Sequence, residues 1–179
     1  MDSGASSESG PWLVEVALLG FWLRGADELA ESAGPARVFE ATHAALSGVD
    51  LTAHDALLLD RGPDRLIVAI PDPVRALQAL LDLRGVVDGA VAPFGLGPVS
   101  AAIGFGPTLL GGDVGAWGAE LARVGRLLAP WVGGDLACTA AFYQRVKLPE
   151  GIGSFRARHA LEHLAGAPYH LLFDGRAVD

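Results

Sequence analysis

The sequence predicts an α+β fold of the ferredoxin-like type, a βαββαβ sandwich with strand and helix additions at its C-terminal end. Apolar runs of strand length alternate with segments of helical spacing, and the order begins strand, helix, strand, strand, helix. The chain has 179 residues, enough for one core, and no linker-like stretch divides it. We therefore expect one domain over residues 12–174, with a disordered lead at 1–11 and a tail at 175–179.

The first half of the chain predicts the βαββ part of this fold. Residues 12–21 begin with alternating apolar residues and end in a continuous apolar run, which is typical of a central strand. Helical spacing follows over residues 26–46, with a break at Gly34-Pro35. Two apolar runs at 55–60 and 64–70 flank a glycine-proline turn and predict a hairpin.

The second half predicts a longer series of elements. Leucines recur at helical spacing over residues 74–84, and a strand follows at 99–105. A helix then begins near Trp117, with an apolar face formed by Trp117, Leu121, Val124 and Leu128. The remaining predicted elements are a strand at 134–139, a short helix at 140–146, an edge strand at 155–159 and a last strand at 169–173.

Composition excludes several classes of partner. The formal net charge is -8 and the arginines are scattered, so we expect no nucleic acid partner. The single cysteine, Cys138, lies in an apolar run and is interpreted as a small buried residue of a chain in a reducing compartment. Residues 89–112 carry no charge, but prolines interrupt them repeatedly, so we expect no membrane span and a cytoplasmic location.

One stretch carries a resemblance to a known family. Strand 99–105 and a glycine-rich turn lead into Gly118, Leu121, Arg126 and Leu127, a pattern that resembles the class III nucleotidyl cyclase homology domain, in which Gly-x-x-Val-Asn-x-Ala-Ala-Arg-Leu follows a hairpin. Weaker similarities occur in the family order at residues 23–32, 63–66, 72–84 and 133–146. The resemblance implies the nucleotide cyclase variant of the ferredoxin-like sandwich.

The resemblance also implies a metal-dependent reaction in which a ribose 3'-hydroxyl attacks the α-phosphate. Two aspartates hold the Mg²⁺ or Mn²⁺ ions, because small hard cations prefer carboxylate oxygens. Asp64 matches the second aspartate and is the candidate metal ligand, although a hairpin aspartate is also common as a solvated turn residue. Trp22 or Gly20 stands where the first aspartate belongs, and residues 16–26 contain no acidic residue.

The implied nucleotide-binding positions are also substituted. Asp60 and Glu162 stand where the family has lysines, and Ala122 replaces the asparagine that orients the ribose. Gly115 occupies the second purine-reading position, with Asp113 nearby as a displaced acceptor. The remaining match is Arg126, interpreted either as a residual phosphate contact or as a helix-surface cation; the candidate ligand-binding residues are Asp113, Gly115 and Arg126.

These substitutions predict a catalytically inactive domain that serves as a regulatory, dimerisation or protein-interaction module and binds a nucleotide-like ligand without turnover. Family active sites form between head-to-tail domains, so we expect a homodimer, or a heterodimer with another cyclase-like or signalling domain. Candidate interface anchors are Trp12, Trp22, Trp117 and Trp131, and we expect one pocket bounded by Trp22, Asp64 and Arg126. No cofactor is required under this hypothesis. The alternatives are an active adenylate or guanylate cyclase that uses Mg²⁺ or Mn²⁺, and a small-molecule binding module.

A second motif, near the C-terminal end of the sequence, is typical of a zinc site. His159, Glu162 and His163 match the H-x-x-E-H pattern of zinc proteases, in which two histidines bind zinc and the glutamate acts as a base. Only His170 or Asp174 could serve as the third ligand, since no glutamate follows His163. The alternative is a pair of polar histidines that flank an amphipathic turn, which the sequence favours.

Overall fold

The structure is a computed structural model, which describes residues 11–111, 115–128, 136–148, 150, 152–157 and 169–174. Its helices are α1 (Ala26–Ala33), α2 (Pro35–Gly48), α3 (Pro73–Val91), α4 (Ala119–Leu127) and α5 (Ala140–Arg145). Its strands are β1 (Trp12–Trp22), β2 (Leu57–Arg61), β3 (Arg65–Ile70), β4 (Ser100–Leu110), β5 (Ala116–Trp117), β6 (Leu136–Thr139), β7 (Ile152–Ala157) and β8 (Tyr169–Asp174). Short 3-10 turns lie at Thr52–His54 and Ala92–Phe94.

The strands form one sheet in the order β2-β3-β1-β4-β6-β8-β7, and β5 pairs with the far end of β4. β1 runs antiparallel to both β3 and β4, and β2 runs antiparallel to β3. This is the ferredoxin-like arrangement, in which the hairpin folds back beside the first strand. β6 extends the sheet in parallel to β4, and β7 and β8 form an antiparallel pair. The predicted α+β sandwich with C-terminal additions is confirmed.

Two apolar clusters lie on opposite faces of the sheet. Alternate residues of β1 divide between them: Ala17 and Leu19 face the cluster that contains side chains of α2, α3 and α5, whereas Val16 and Leu18 face the side chains of α4. This division follows from the two-residue period of a strand. Both faces of β1 are therefore covered, which explains the continuous apolar run in its sequence.

The break between the first two helices lies where the sequence predicts it. Gly34 separates α1 from α2 with φ of 88°, a left-handed conformation that glycine adopts without strain, and Pro35 begins α2.

Cys138 is buried in β6, as expected.

Several boundaries and faces differ from the prediction. α4 begins at Ala119 rather than near Trp117, because Trp117 belongs to β5 and pairs with Leu109. Trp117 is 70% exposed and is not part of the apolar face of the helix. α3 continues to Val91 and β4 to Leu110, since the apolar side chains of both continue past the predicted ends. Asp113 and Trp131 lie outside the described residues.

No helix in the described part of the chain is long and apolar enough to cross a membrane. The described residues 89–111 of the uncharged stretch contain the end of α3, a 3-10 turn and β4. It therefore contributes one buried strand rather than a long apolar helix.

Candidate functional site

A first groove lies where β1 ends beside the β2–β3 hairpin. The strand register pairs Trp22 with Arg65, which brings the last residue of β1 next to Asp64 at the hairpin. The groove has a volume of about 240 Å³. Its lining residues are Trp22, Arg24, Gly25, Ala26, Asp27, Glu28 and Asp64.

A hydrogen bond joins the two walls of the first groove. The indole Nε1 of Trp22 donates to Oδ2 of Asp64 at 3.2 Å, and both side chains are half-buried. The backbone N–H of Leu23 also donates to the carbonyl oxygen of Asp64 at 2.7 Å. The Trp22 ring packs at the border of the α4-side cluster. The indole is therefore held in place by packing on its body and by a hydrogen bond at its N–H.

The remaining wall of the first groove is the start of α1. Gly25 precedes the helix with φ of 91°, and the first turn carries Asp27 and Glu28. With Asp64, three carboxylates line the groove against the single cation of Arg24. This balance disfavours an anion such as a triphosphate by like-charge repulsion. Within the described residues, no group of three or more His, Cys, Asp or Glu side chains is arranged to hold a metal ion.

Helix α2 fixes the hairpin that carries Asp64. The hydroxyl of the buried Thr42 donates to the carbonyl oxygen of Pro63 at 2.7 Å, and the guanidinium of Arg61 lies 5.1 Å from the ring centroid of Phe39. These contacts tie the hairpin to α2 from the side opposite Trp22. The position of Asp64 therefore depends on α2 as well as on β1.

A second groove lies between the hairpin strands and α4. It has a volume of about 590 Å³, with an apolar floor and charged groups at its border. Asp60 and Arg65 form an ion pair at 2.9 Å within the hairpin wall. The lining residues are Leu59, Asp60, Arg65, Ile67, Gly115, Ala116, Leu121, Ala122, Gly125 and Arg126.

The helix wall of the second groove carries the sequence-predicted ligand residues. Ala122 and Arg126 lie one turn apart on the exposed side of α4, and Gly115 borders the groove with φ of 67°. Arg126 forms no salt bridge with any other described residue. Its charge is therefore available at the mouth of the groove, where an anionic group could approach. Asp113, the predicted displaced acceptor, lies outside the described residues.

A buried carboxylate that sequence reasoning missed anchors α4 to the sheet. Glu120 is 3% exposed, accepts a hydrogen bond from the hydroxyl of Thr139, and pairs with Arg123 at 2.8 Å. Gly104 and Gly106 make room for it, since a Cβ on Gly104 would lie 2.9 Å from Glu120 Oε1 and one on Gly106 3.3 Å from Glu120 Cβ. The signal in the sequence was the pair of glycines at alternate positions of β4, which face the same side.

The candidate residues fall into two grooves rather than into the single pocket that the sequence predicts. Trp22 and Asp64 line the first groove, whereas Gly115, Ala122 and Arg126 line the second. The two grooves share no lining residue, but they adjoin at the hairpin, because Trp22 of the first groove is the register partner of Arg65 of the second. Of the zinc protease pattern, His159, Glu162 and His163 lie outside the described residues.

Several solved nucleotide cyclase domains have the same fold, whereas no protein-family model and no curated protein matches the sequence. The adenylyl cyclase CyaB from P. aeruginosa is 15% identical, with a TM-score of 0.68 over 94% of this chain and 98% of that chain. The guanylate cyclase domain of RhGC from Catenaria anguillulae, solved in complex with GTP, is 11% identical, with a TM-score of 0.72 over 90% and 97%.

A third solved structure with this fold is a dimer. The guanylyl cyclase domain of the RhoGC fusion protein from Blastocladiella emersonii, described as a non-canonical dimer, is 9% identical, with a TM-score of 0.70 over 92% of this chain and 97% of that chain. All three likenesses extend over nearly the full length of both chains, so they reflect the whole architecture rather than a shared substructure. The chain has the fold of a class III nucleotide cyclase domain.

Proposed function

We propose that this chain is a catalytically inactive cyclase homology domain, which acts as a regulatory, dimerisation or protein-interaction module and retains a site for a nucleotide-like ligand. The observation that carries the proposal is the hydrogen bond from the Trp22 indole to Asp64. The nucleotide cyclase fold supports the class of domain, and the chemistry of the two grooves supports the loss of turnover.

The first groove does not fit a two-metal site. Such a site needs carboxylate oxygens on both sides of the ions, and the end of β1 offers an indole, which is a donor only and cannot ligate a cation through Nε1–H. The same indole uses an acceptor site of Asp64, the one carboxylate at the matching position. Trp22 therefore both replaces one ligand and engages the other.

The distribution of the candidate residues over two grooves supports function as one half of a pair. In a head-to-tail dimer, the Trp22 groove of one subunit would face the Arg126 groove of the other. Each composite site of a homodimer would then combine Trp22 with Ala122, and would lack both the second metal carboxylate beside Asp64 and the ribose-orienting amide. A heterodimer partner could gain from this chain a surface and either Arg126 or Asp64, but not the second metal carboxylate.

The second groove supports the retained ligand. Its volume of about 590 Å³ lies within the usual range of small-molecule sites, which is about 300–1,000 Å³. Arg126 offers a cation for a phosphate, and the apolar floor formed by Leu59, Ile67 and Leu121 offers a surface for a purine ring. Binding would follow from these groups without any metal-dependent step.

The direct test is an activity assay of the purified chain with ATP or GTP and Mn²⁺ or Mg²⁺. We expect no cyclic nucleotide. A cyclic nucleotide product that disappears in Asp64→Ala would overturn the proposal, because it would show that Asp64 holds a working metal ion.

A gain-of-function variant tests the role of Trp22 without relying on an absent signal. Trp22→Asp places a carboxylate beside Asp64, so we expect Mn²⁺ affinity to rise by about tenfold or more over the wild type in calorimetry. Trp22→Asn is the matched control, since it opens the same space without adding charge. Equal Mn²⁺ affinity in the wild type and in Trp22→Asp would contradict the assigned role of the indole.

An active cyclase remains the second candidate because of one observation. Asp27 and Glu28 line the same groove as Asp64, so a carboxylate displaced from β1 to α1 is available there. Under this alternative, the wild type forms a cyclic nucleotide, and Asp27→Asn together with Glu28→Gln abolishes the product. The activity assay therefore distinguishes the two candidates.

A further inference from the structure

We infer that the ligand of the second groove is a purine nucleotide with a single phosphate group, because carboxylates of the first groove exclude a triphosphate. The inference rests on the proposed function, from which it takes the retained ligand site and the loss of the two-metal site. It names the class of ligand from the charges of the two grooves, which adjoin at the hairpin.

The lining of the second groove offers one cation to a phosphate. Arg65 is already engaged, because its Nε lies 2.9 Å from Oδ2 of Asp60. Arg126 is exposed in the last turn of α4 and forms no salt bridge with any other described residue. A guanidinium binds one phosphate through two parallel hydrogen bonds. The described lining therefore has the charge to hold one phosphate and no second free cation for another.

The first groove places negative charge next to this site. Its carboxylates are those of Asp27, Glu28 and Asp64, and the cation that opposes them is Arg24. In a head-to-tail pair, the same carboxylates of a partner would face the second groove. A second or third phosphate would therefore add negative charge beside these carboxylates without gaining a guanidinium.

Divalent cations would offset this repulsion only if the first groove held them. The Trp22 indole stands at the end of β1, where it supplies no metal ligand and uses an acceptor site of Asp64. The net charge of -8 adds a weaker, general repulsion of polyanions. A ligand with one phosphate avoids most of this electrostatic cost.

The second groove has room for the rest of a mononucleotide. Its volume is about 590 Å³, and its apolar floor includes the buried side chain of Ile67. Ala122 and Gly125 keep the helix wall free of large side chains. A base on the apolar floor and a phosphate at Arg126 would thus be bound by different parts of one groove.

The test measures dissociation constants by isothermal titration calorimetry of the full chain with AMP, ATP, GMP and GTP, once in EDTA and once in Mg²⁺. We expect the triphosphate to bind at least about tenfold more weakly than the monophosphate of the same base in EDTA, and Mg²⁺ not to reverse this order. Titration with 3',5'-cyclic AMP and cyclic GMP distinguishes a phosphate diester from a monoester. A triphosphate that binds as tightly as its monophosphate in either buffer would overturn the inference.

Substitution of Arg126 tests the assigned phosphate contact. Arg126→Ala is expected to weaken binding of the monophosphate by about tenfold, and Arg126→Lys by less, because an ammonium keeps the charge but not the paired hydrogen bonds. Arg75→Ala is the matched control, since Arg75 is exposed, pairs with Asp55 and lines neither groove. Unchanged affinity in Arg126→Ala would contradict the inference.

Neutral variants of the first groove test the exclusion of the triphosphate. Asp27→Asn with Glu28→Gln is expected to raise the affinity for ATP in EDTA by at least about threefold and to leave the affinity for AMP nearly unchanged. The matched control, Glu31→Gln with Glu40→Gln, removes the same charge from exposed residues outside both grooves. If both double variants gain equally, or neither gains, the first groove does not exclude the triphosphate and the inference fails.

Failure of the inference differs from failure of the proposed function. A cyclic nucleotide product in the activity assay would overturn the proposed function. ATP that binds more tightly than AMP without product would overturn only the single phosphate. If no purine nucleotide binds, the inference and the retained ligand site both fail, whereas the role as an inactive interaction module stands.

Discussion

The first and second grooves differ in how their walls are held. In the first groove, the Trp22 indole at the end of β1 donates a hydrogen bond to Asp64 of the hairpin. This bond joins the β1 wall of the groove to the hairpin wall. In the second groove, the ion pair of Asp60 and Arg65 lies within one wall, and α4 stands apart from it. The first groove has a volume of about 240 Å³ and the second a volume of about 590 Å³.

Under the proposed function, this contrast would let the two grooves diverge separately. The first groove would lose a metal ligand where the Trp22 indole stands and engages Asp64. The second groove would lose one amide at Ala122 and keep its volume and Arg126. The hairpin lines both grooves, so the two changes lie at Trp22 and on α4 rather than in the shared wall.

The anchors of the two walls also differ in burial. α4 is held by Glu120, which is almost fully buried, whereas the Trp22–Asp64 hydrogen bond is half-buried. Breaking a polar contact costs more free energy when its partners are buried and cannot form replacement hydrogen bonds with water. We therefore expect the wall of the second groove to be the more sensitive one.

The largest expected effect is on the anchor of α4. Glu120→Ala leaves the buried Thr139 hydroxyl without its acceptor and Arg123 without its counter-charge, so the free energy of unfolding is expected to fall by about 3 kcal/mol in urea titration. Glu40→Ala is the control, because its ion pair with Arg37 is exposed, and we expect a loss of about 0.5 kcal/mol or less. Equal losses in the two variants would show that Glu120 is not an anchor.

A smaller effect is expected at the glycine beneath the same helix. A Cβ on Gly104 would lie 2.7 Å from Val124 Cγ2 and 2.9 Å from Glu120 Oε1, so Gly104→Ala must displace these side chains of α4 and should cost about 1–3 kcal/mol. Gly85→Ala is the matched control, because nothing lies within 4 Å of its added Cβ in α3. There the higher helix propensity of alanine should stabilise the protein by about 0.5–1 kcal/mol. A lower free energy of unfolding for Gly104→Ala and a higher one for Gly85→Ala would confirm that α4 packs closely against β4.

Local patterns were sufficient to predict most of the fold. The βαββ part needed only strand-length apolar runs, a helical period and the Gly34-Pro35 break, all of which depend on neighbours in sequence. Trp117 was placed wrongly on a helix because its spacing to Leu121 and Val124 is helical, although the chain is extended there and pairs with Leu109. A pairing with a distant strand leaves no periodic trace in a two-residue segment.

The candidate site was less predictable because its contacts join distant parts of the chain. The sequence alone shows that no acidic residue lies at the end of β1. The hydrogen bond from Trp22 to Asp64 could not be predicted in this way, because it depends on the register of β1 against β3. Likewise, Glu120 resembles an ordinary charged residue in the first turn of a helix, where acidic side chains are common. Its burial depends on two glycines in a strand fourteen or more positions earlier.

The smallest expected effect concerns the hydrogen bond that joins the walls of the first groove. Trp22→Phe keeps most of the ring and removes Nε1–H, so the free energy of unfolding should fall by about 0.5–1 kcal/mol. Trp117→Phe is the control, since Trp117 is mostly exposed, and we expect little change there. A double-mutant cycle with Asp64→Ala isolates the pair, and a coupling of about 0.5 kcal/mol or more is expected. Additive losses in that cycle would mean that Trp22 fills the groove by packing alone, and that the carboxylate of Asp64 is energetically independent of it.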